Sequence, residues 1–149
     1  MEPQIISRPA FNVLGLQARA RAGTQDAPGT WDALMPRAGE IPARGAAYGV
    51  IDNIDAAQGT FDYLAGFEVE GEPQPPPGMT LARIPAQTCA VFACTLPALM
   101  QAIHRANHVW LPASGYRRAA GPEFEEYGEA FDPGDTQSPM AISLPIEPA

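Results

Sequence analysis

The chain alternates between apolar and polar blocks whose spacing switches between two periods. Residues 5–8 and 11–20 have the apolar, extended character of strands, with Pro9 between them. Trp31, Leu34, Met35 and Ala38 then fall at i, i+3, i+4 and i+7, one face of a helix, and Thr30 is placed to cap it. Pro36 lacks an amide donor and crowds the preceding turn, so this helix should kink or end near Met35. Gly39 and Pro42 close the element, and residues 48–51 and 61–69 follow as two strand-like runs separated by polar turn residues.

Residues 71–78, Gly-Glu-Pro-Gln-Pro-Pro-Pro-Gly, form a stiff polyproline-type connector. Beyond it the order begins again. Residues 81–95 are extended and apolar, and Thr95 with Pro97 makes a helix start. Leu96, Leu99, Met100, Ile103, Asn107 and Trp110 keep helical spacing until Pro112 and Gly115 stop it. Residues 124–131 and 140–146 complete the run as strands. Short matches accompany the shared order: Pro9-Ala10 with Pro85-Ala86, and Tyr48-Gly49 with Tyr127-Gly128. The pattern predicts an α+β fold in one domain over 1–149, with similar halves at about 1–70 and 79–149. Each half is a strand-helix-strand-strand unit. Together they form a curved antiparallel sheet with two helices on one face and a ligand cleft between the halves.

Composition narrows the chemistry. With 17 acidic and 9 basic residues, the formal net charge is −8, which opposes direct binding to nucleic acid or to an anionic membrane. Every basic residue is Arg, so a P-loop lysine, a Schiff-base lysine and a lysine general base are all excluded. Apolar residues make up 46% of the chain, enough for a packed core despite 17 Pro and 14 Gly. No basic-then-apolar leader and no apolar run of membrane-spanning length is visible, so a cytoplasmic location is expected. Cys89 and Cys94 lie an odd number of residues apart in one apolar run; as a strand, that puts them on opposite faces as buried free thiols. No cofactor motif is present. His104 and His108 have i, i+4 spacing but no third ligand nearby, and read as surface histidines with no metal.

Two clusters carry the candidate chemistry. In Pro122-Glu-Phe-Glu-Glu-Tyr127, Glu125 and Tyr127 share one face of a strand while Phe124 and Glu126 share the other. A carboxylate beside a phenol on an inward face would be a polar group in an aromatic pocket. Burial would raise its pKa, and a cationic ligand would restore its charge. The alternative is an outer strand of solvated acids. The second cluster, Trp110-Leu-Pro-Ala-Ser-Gly-Tyr116, offers flat amphipathic rings suited to stacking, or an ordinary helix end with Trp packed in the core.

These runs, with Phe131-Asp-Pro133 and a terminal Ile142-x-Leu-Pro-Ile146, resemble the GyrI-like family, the effector-binding domain of AraC- and MerR-type multidrug regulators, within the SOUL-like superfamily. Tyr48-Gly-Val50 and Phe61-x-Tyr63-x-x-Gly66 are similar to the first-half signatures of that family. The resemblance implies a duplicated fold, a cleft between its halves, and a pocket acid that maps onto Glu125, with Glu126 facing away. Ile51 stands where another aromatic residue would be expected, which makes the first-half wall of the pocket less aromatic. The ligand-binding residues so implied are Tyr48, Tyr63, Trp110, Tyr116, Glu125 and Tyr127.

Three functions are compatible with this set. The first is a stand-alone binder of lipophilic, cationic aromatic compounds, working as a monomer or weak homodimer. The second is a hydrolase of strained, cyclopropane-bearing natural products, with Glu125 as general base and Tyr127 polarising the substrate. The third is a gyrase-inhibitor-like module that engages a partner protein through its acidic surface.

Overall fold

A computed structural model describes residues 2–149. Nine strands and two principal helices follow one another: β1 (Gln4–Arg8), β2 (Phe11–Arg21), α1 (Asp26–Leu34), β3 (Ala43–Asp55), β4 (Thr60–Val69), β5 (Thr80–Ile84), β6 (Gln87–Thr95), α2 (Leu99–Arg105), β7 (Tyr116–Arg118), β8 (Glu123–Tyr127) and β9 (Pro139–Pro148). All strand pairs are antiparallel, in the order β1-β6-β9-β8-β3-β4-β2-β5, and β7 adds to β9 off this path. The sheet curls into a half-barrel. Its order reads in matching pairs outward from β8-β3, and the first strand of each half lies on the second strand of the other. β1 pairs with β6, and β5 with β2.

Alternation along the strands gives the sheet two different faces. The helical face carries Leu14, Ile51, Tyr63 and Ala65 under α1, and Ala90, Phe92, Ile142 and Leu144 under α2. The inner face gathers Val13, Tyr48, Val50, Leu64, Ile84, Cys89 and Phe124, with no helix over them. The curl itself covers this second cluster. Phe11 on β2 and Phe124 on β8 are three strand spacings apart, roughly 14 Å in a flat sheet, yet their ring centres are 5.5 Å apart. Gly15 and Gly66 face each other across β2 and β4 on the inner side. A Cβ at either would run into the opposing backbone, so the glycine pair lets the strands close up.

Several elements depart from the periodicity. Helix α1 begins at Asp26, so Thr30 is not its cap but an interior residue whose hydroxyl donates to the Asp26 carbonyl at 2.8 Å. Pro36 ends the helix as expected, and residues Met35–Glu40 continue as a 3-10 turn. The second helix is not uniform. A 3-10 turn (Leu96–Ala98) leads into α2, a wider π turn follows at Ala106–Trp110, and a last α turn, α3 (Leu111–Ala113), contains Pro112. Gly115, at φ 81°, stops it. Strand β8 ends at Tyr127 rather than running on to residue 131, residues 81–95 are divided at Pro85-Ala86 into β5 and β6, and β7 was not visible in the pattern.

Candidate functional site

Strand β8 sits at the centre of the sheet between β3 and β9, and its alternation decides what it shows to each side. Glu125 points to the helical face and is buried, with 6% of its surface exposed. Its Oε1 accepts hydrogen bonds from the Tyr63 hydroxyl at 2.7 Å and the Tyr127 hydroxyl at 2.9 Å. The Trp31 indole N–H, reaching down from α1, donates to the Tyr63 oxygen at 2.7 Å. Trp31 also meets the Tyr127 ring edge-on, with centres 5.7 Å apart, and Phe131 lies 5.0 Å beyond Tyr127.

Tyr63 and Glu125 reach each other across β3 because the residue between them is Gly49, which pairs with Glu125 on one side and Ala65 on the other. A Cβ at Gly49 would collide with the Tyr63 hydroxyl and the Glu125 carboxylate. The site thus joins both halves: Trp31, Gly49 and Tyr63 from the first, Glu125 and Tyr127 from the second.

Its electrostatics follow from burial. Among the described residues, no basic group forms an ion pair with Glu125. Burial pushes its carboxyl above the ordinary range; the bonds from Tyr63 and Tyr127 pull the other way without offsetting it. Burial and the nearby carboxylate likewise raise both phenols, so Tyr63 and Tyr127 stay protonated donors. Cys94 on the same face is also raised, by burial and then by Glu125, and remains a thiol.

Beside Glu125, α2 stands slightly off the sheet and leaves a cleft of about 20 Å³. Ile103, Ala106 and Asn107 line it from the helix side, and Ile51 and Ile142 from the sheet.

The structure brings together Tyr63, Glu125 and Tyr127 of the sequence-predicted set, and turns Glu126 to the other face. Tyr48 does not join them. It lies on the inner face because it precedes Gly49 by one residue, with 1% of its surface exposed. Trp110 and Tyr116 stack on each other with ring centres 6.1 Å apart, and Trp110 packs on Phe92 in the same apolar cluster as Tyr127, adjoining the box rather than touching its carboxylate. Cys89 and Cys94 are free and on opposite faces; Cys89 is buried as expected, whereas Cys94 is only half-buried. Trp31 and Gly49 are site residues that periodicity had assigned only to a helix face and a repeat match. The available signal was the indole N–H, a buried donor that needs a partner.

The GyrI-like small molecule binding domain model matches residues 1–147. The chain belongs to the GyrI-like family. The transcriptional regulator BrlR of Pseudomonas aeruginosa is 32% identical over 152 residues, covering 98% of this chain and 56% of the regulator, so the chain spans little more than half of that relative. Among solved structures, an integron cassette protein from the mobile metagenome of Vibrio cholerae is 22% identical, with a TM-score of 0.68 over 99% of this chain and 97% of its own. SAV2435, solved bound to tetraphenylphosphonium, is 17% identical, with a TM-score of 0.72 over 99% and 94%. These likenesses carry the fold. For the GyrI-like chain itself, small-molecule binding is the family's activity, and no helix is long and apolar enough to cross a membrane among the described residues.

Proposed function

We propose that this GyrI-like chain binds lipophilic aromatic cations, with Glu125 as the counter-charge and Trp31, Tyr63 and Tyr127 as the surrounding rings. The observation that carries this reading is a buried carboxylate that two phenols orient and that, among the described residues, no cation neutralises. Such a group is costly in the empty protein and favourable once a cation enters. The rings supply apolar area and negative faces toward the ligand, so most of the affinity comes from them. The bound tetraphenylphosphonium of SAV2435 is a cation of this class.

A drug-sized ligand needs roughly 300 Å³ or more, far beyond the present cleft of about 20 Å³. Binding therefore parts the Ile103–Asn107 side of the cleft from β8 and β9. The Glu–Tyr pairing also has the parts of a general base and a polarising acid, so the decisive experiment follows ligand mass as well as binding. Tetraphenylphosphonium titrated calorimetrically into wild type and Glu125→Gln should lose at least about tenfold in affinity with the variant, as expected for a desolvated charge partner. Equal affinities would overturn the reading. An effect of Glu126→Gln alone would place the site on the other face. Turnover of a strained electrophile with new mass peaks, abolished by Glu125→Gln, would replace the binder with a hydrolase.

A further inference from the structure

The inner face of β8 carries a second carboxylate, and it is occupied. Arg8, the last residue of β1, extends its guanidinium into the curl of the sheet. The Cζ atom lies 4.8 Å from the ring centre of Phe11, 5.2 Å from that of Phe124 and 5.6 Å from that of Tyr48. Nη1 donates to Glu126 Oε1 at 2.8 Å, and Nη2 donates to the Tyr48 hydroxyl oxygen at 2.6 Å. Three rings, a carboxylate and a phenol oxygen thus surround one planar cation. The rings also brace each other, Phe11 against Tyr48 at 4.9 Å and Tyr48 against Phe124 at 5.6 Å. Tyr48 and Phe124 are each 1% exposed, so two of the rings belong to the core, while the Arg8 and Glu126 side chains keep 23% and 29% of their surface open to solvent at the mouth of the cage.

Holding an edge strand in place does not require this arrangement. At the matching position in the other half, immediately before Pro85-Ala86, β5 ends in Ile84, which an apolar contact buries to 2%. Arg8 is instead matched to a site shaped for a fork of N–H donors, which an ammonium would satisfy only in part. The strand that delivers it is short: five residues, paired only with β6, with Gln4–Ser7 exposed.

We propose that the inner face is a second cation site, selective for guanidinium and amidinium groups, and that Arg8 is its resident ligand, exchangeable for a free alkylguanidinium once the side chain is withdrawn. This proposal is independent of the Glu125 reading, since Glu125 and Glu126 point to opposite faces and share no ring.

The test is chemical rescue of Arg8→Ala with n-propylguanidinium, read as a thermal shift and by calorimetry. The variant should melt below wild type and bind the probe saturably, regaining part of the lost melting temperature. Binding of n-propylammonium should be at least about tenfold weaker, since it offers no fork and a more strongly hydrated charge. Wild type and the double variant Arg8→Ala/Glu126→Gln should not respond. Failure of a folded Arg8→Ala to bind the probe, or equal responses to the two cations, would overturn the proposal. Should Arg8→Ala not fold, NMR of wild type decides: ring currents must move the Arg8 side-chain protons upfield, and free-arginine positions would overturn it. Tetraphenylphosphonium titration of the same proteins reports on the Glu125 box separately.

Discussion

The site depends on a missing atom as much as on a charged one. Gly49 holds no side chain between Tyr63 and Glu125, and Gly49→Ala should break the 2.7 Å bond between them. The expected result is a protein destabilised by about 1–3 kcal/mol, the usual cost of overpacking, that has also lost tetraphenylphosphonium binding; denaturant melts and calorimetry check the two effects. Glu125 itself should trade stability for binding. Its folded pKa is raised above the unfolded one, so the native state holds the extra proton in the window between them. Stability is complete below the unfolded value, near 4.5, and falls as pH rises through the folded one. Glu125→Gln removes that slope, so its melting temperature should overtake wild type as pH climbs, by about 2–4 °C for each ~1 kcal/mol recovered. Affinity for the cation should rise through the same window, because the ligand pairs with the ionised form. The alternation Glu125-x-Tyr127 was legible in the sequence because a strand has period two. The partners across β3 were not, since nothing in the residues near Gly49 says which side chains will meet over it.

At the scale of elements, α1 does two jobs with one face. Leu34, fully buried, anchors its last turn to the core of the first half, while Trp31 one turn earlier reaches the site. Leu34→Ala should cost about 2–5 kcal/mol by leaving a cavity, read from urea melts, and should weaken cation binding because the helix that carries Trp31 loses its seat. The apolar positions of this helix were readable from spacing, but its start was not. Asp26, whose amide N–H donates to the Thr24 hydroxyl and whose carboxylate accepts from the Arg21 amide, sets the first turn ahead of the apolar stripe. In the second helix the spacing also held while the winding changed. The Asn107 side chain bonds the Ile103 carbonyl at 2.9 Å, competing with the regular backbone ladder where the turn widens. That widened turn borders the cleft.

At the scale of the whole molecule, the repeat of element order was visible along the chain, but the exchange of β1 and β5 between the halves was not, because alternation tells which face a strand buries and never which strand it joins. The exchange makes the connector at residues 71–78 almost dispensable. Its polar ties are local or exposed: the Gly71 carbonyl accepts from Asn12, the Pro77 carbonyl from Arg37 and the Pro76 carbonyl from the Met79 amide, and exposed Glu72 pairs with exposed Arg83, whereas β1–β6 and β5–β2 each bind one half to the other along five residue pairs. Severed between Gln74 and Pro75, the polypeptide should behave like two clasped hooks. Co-expressed fragments 1–74 and 75–149 should purify as one complex with a single melting transition, and each alone should be unfolded by circular dichroism. A fragment that folds by itself, or a pair that never associates, would contradict this. If the pair does associate, ligand binding becomes a force that holds two separate chains together, and the protein becomes a split reporter whose assembly answers to the presence of a small cation.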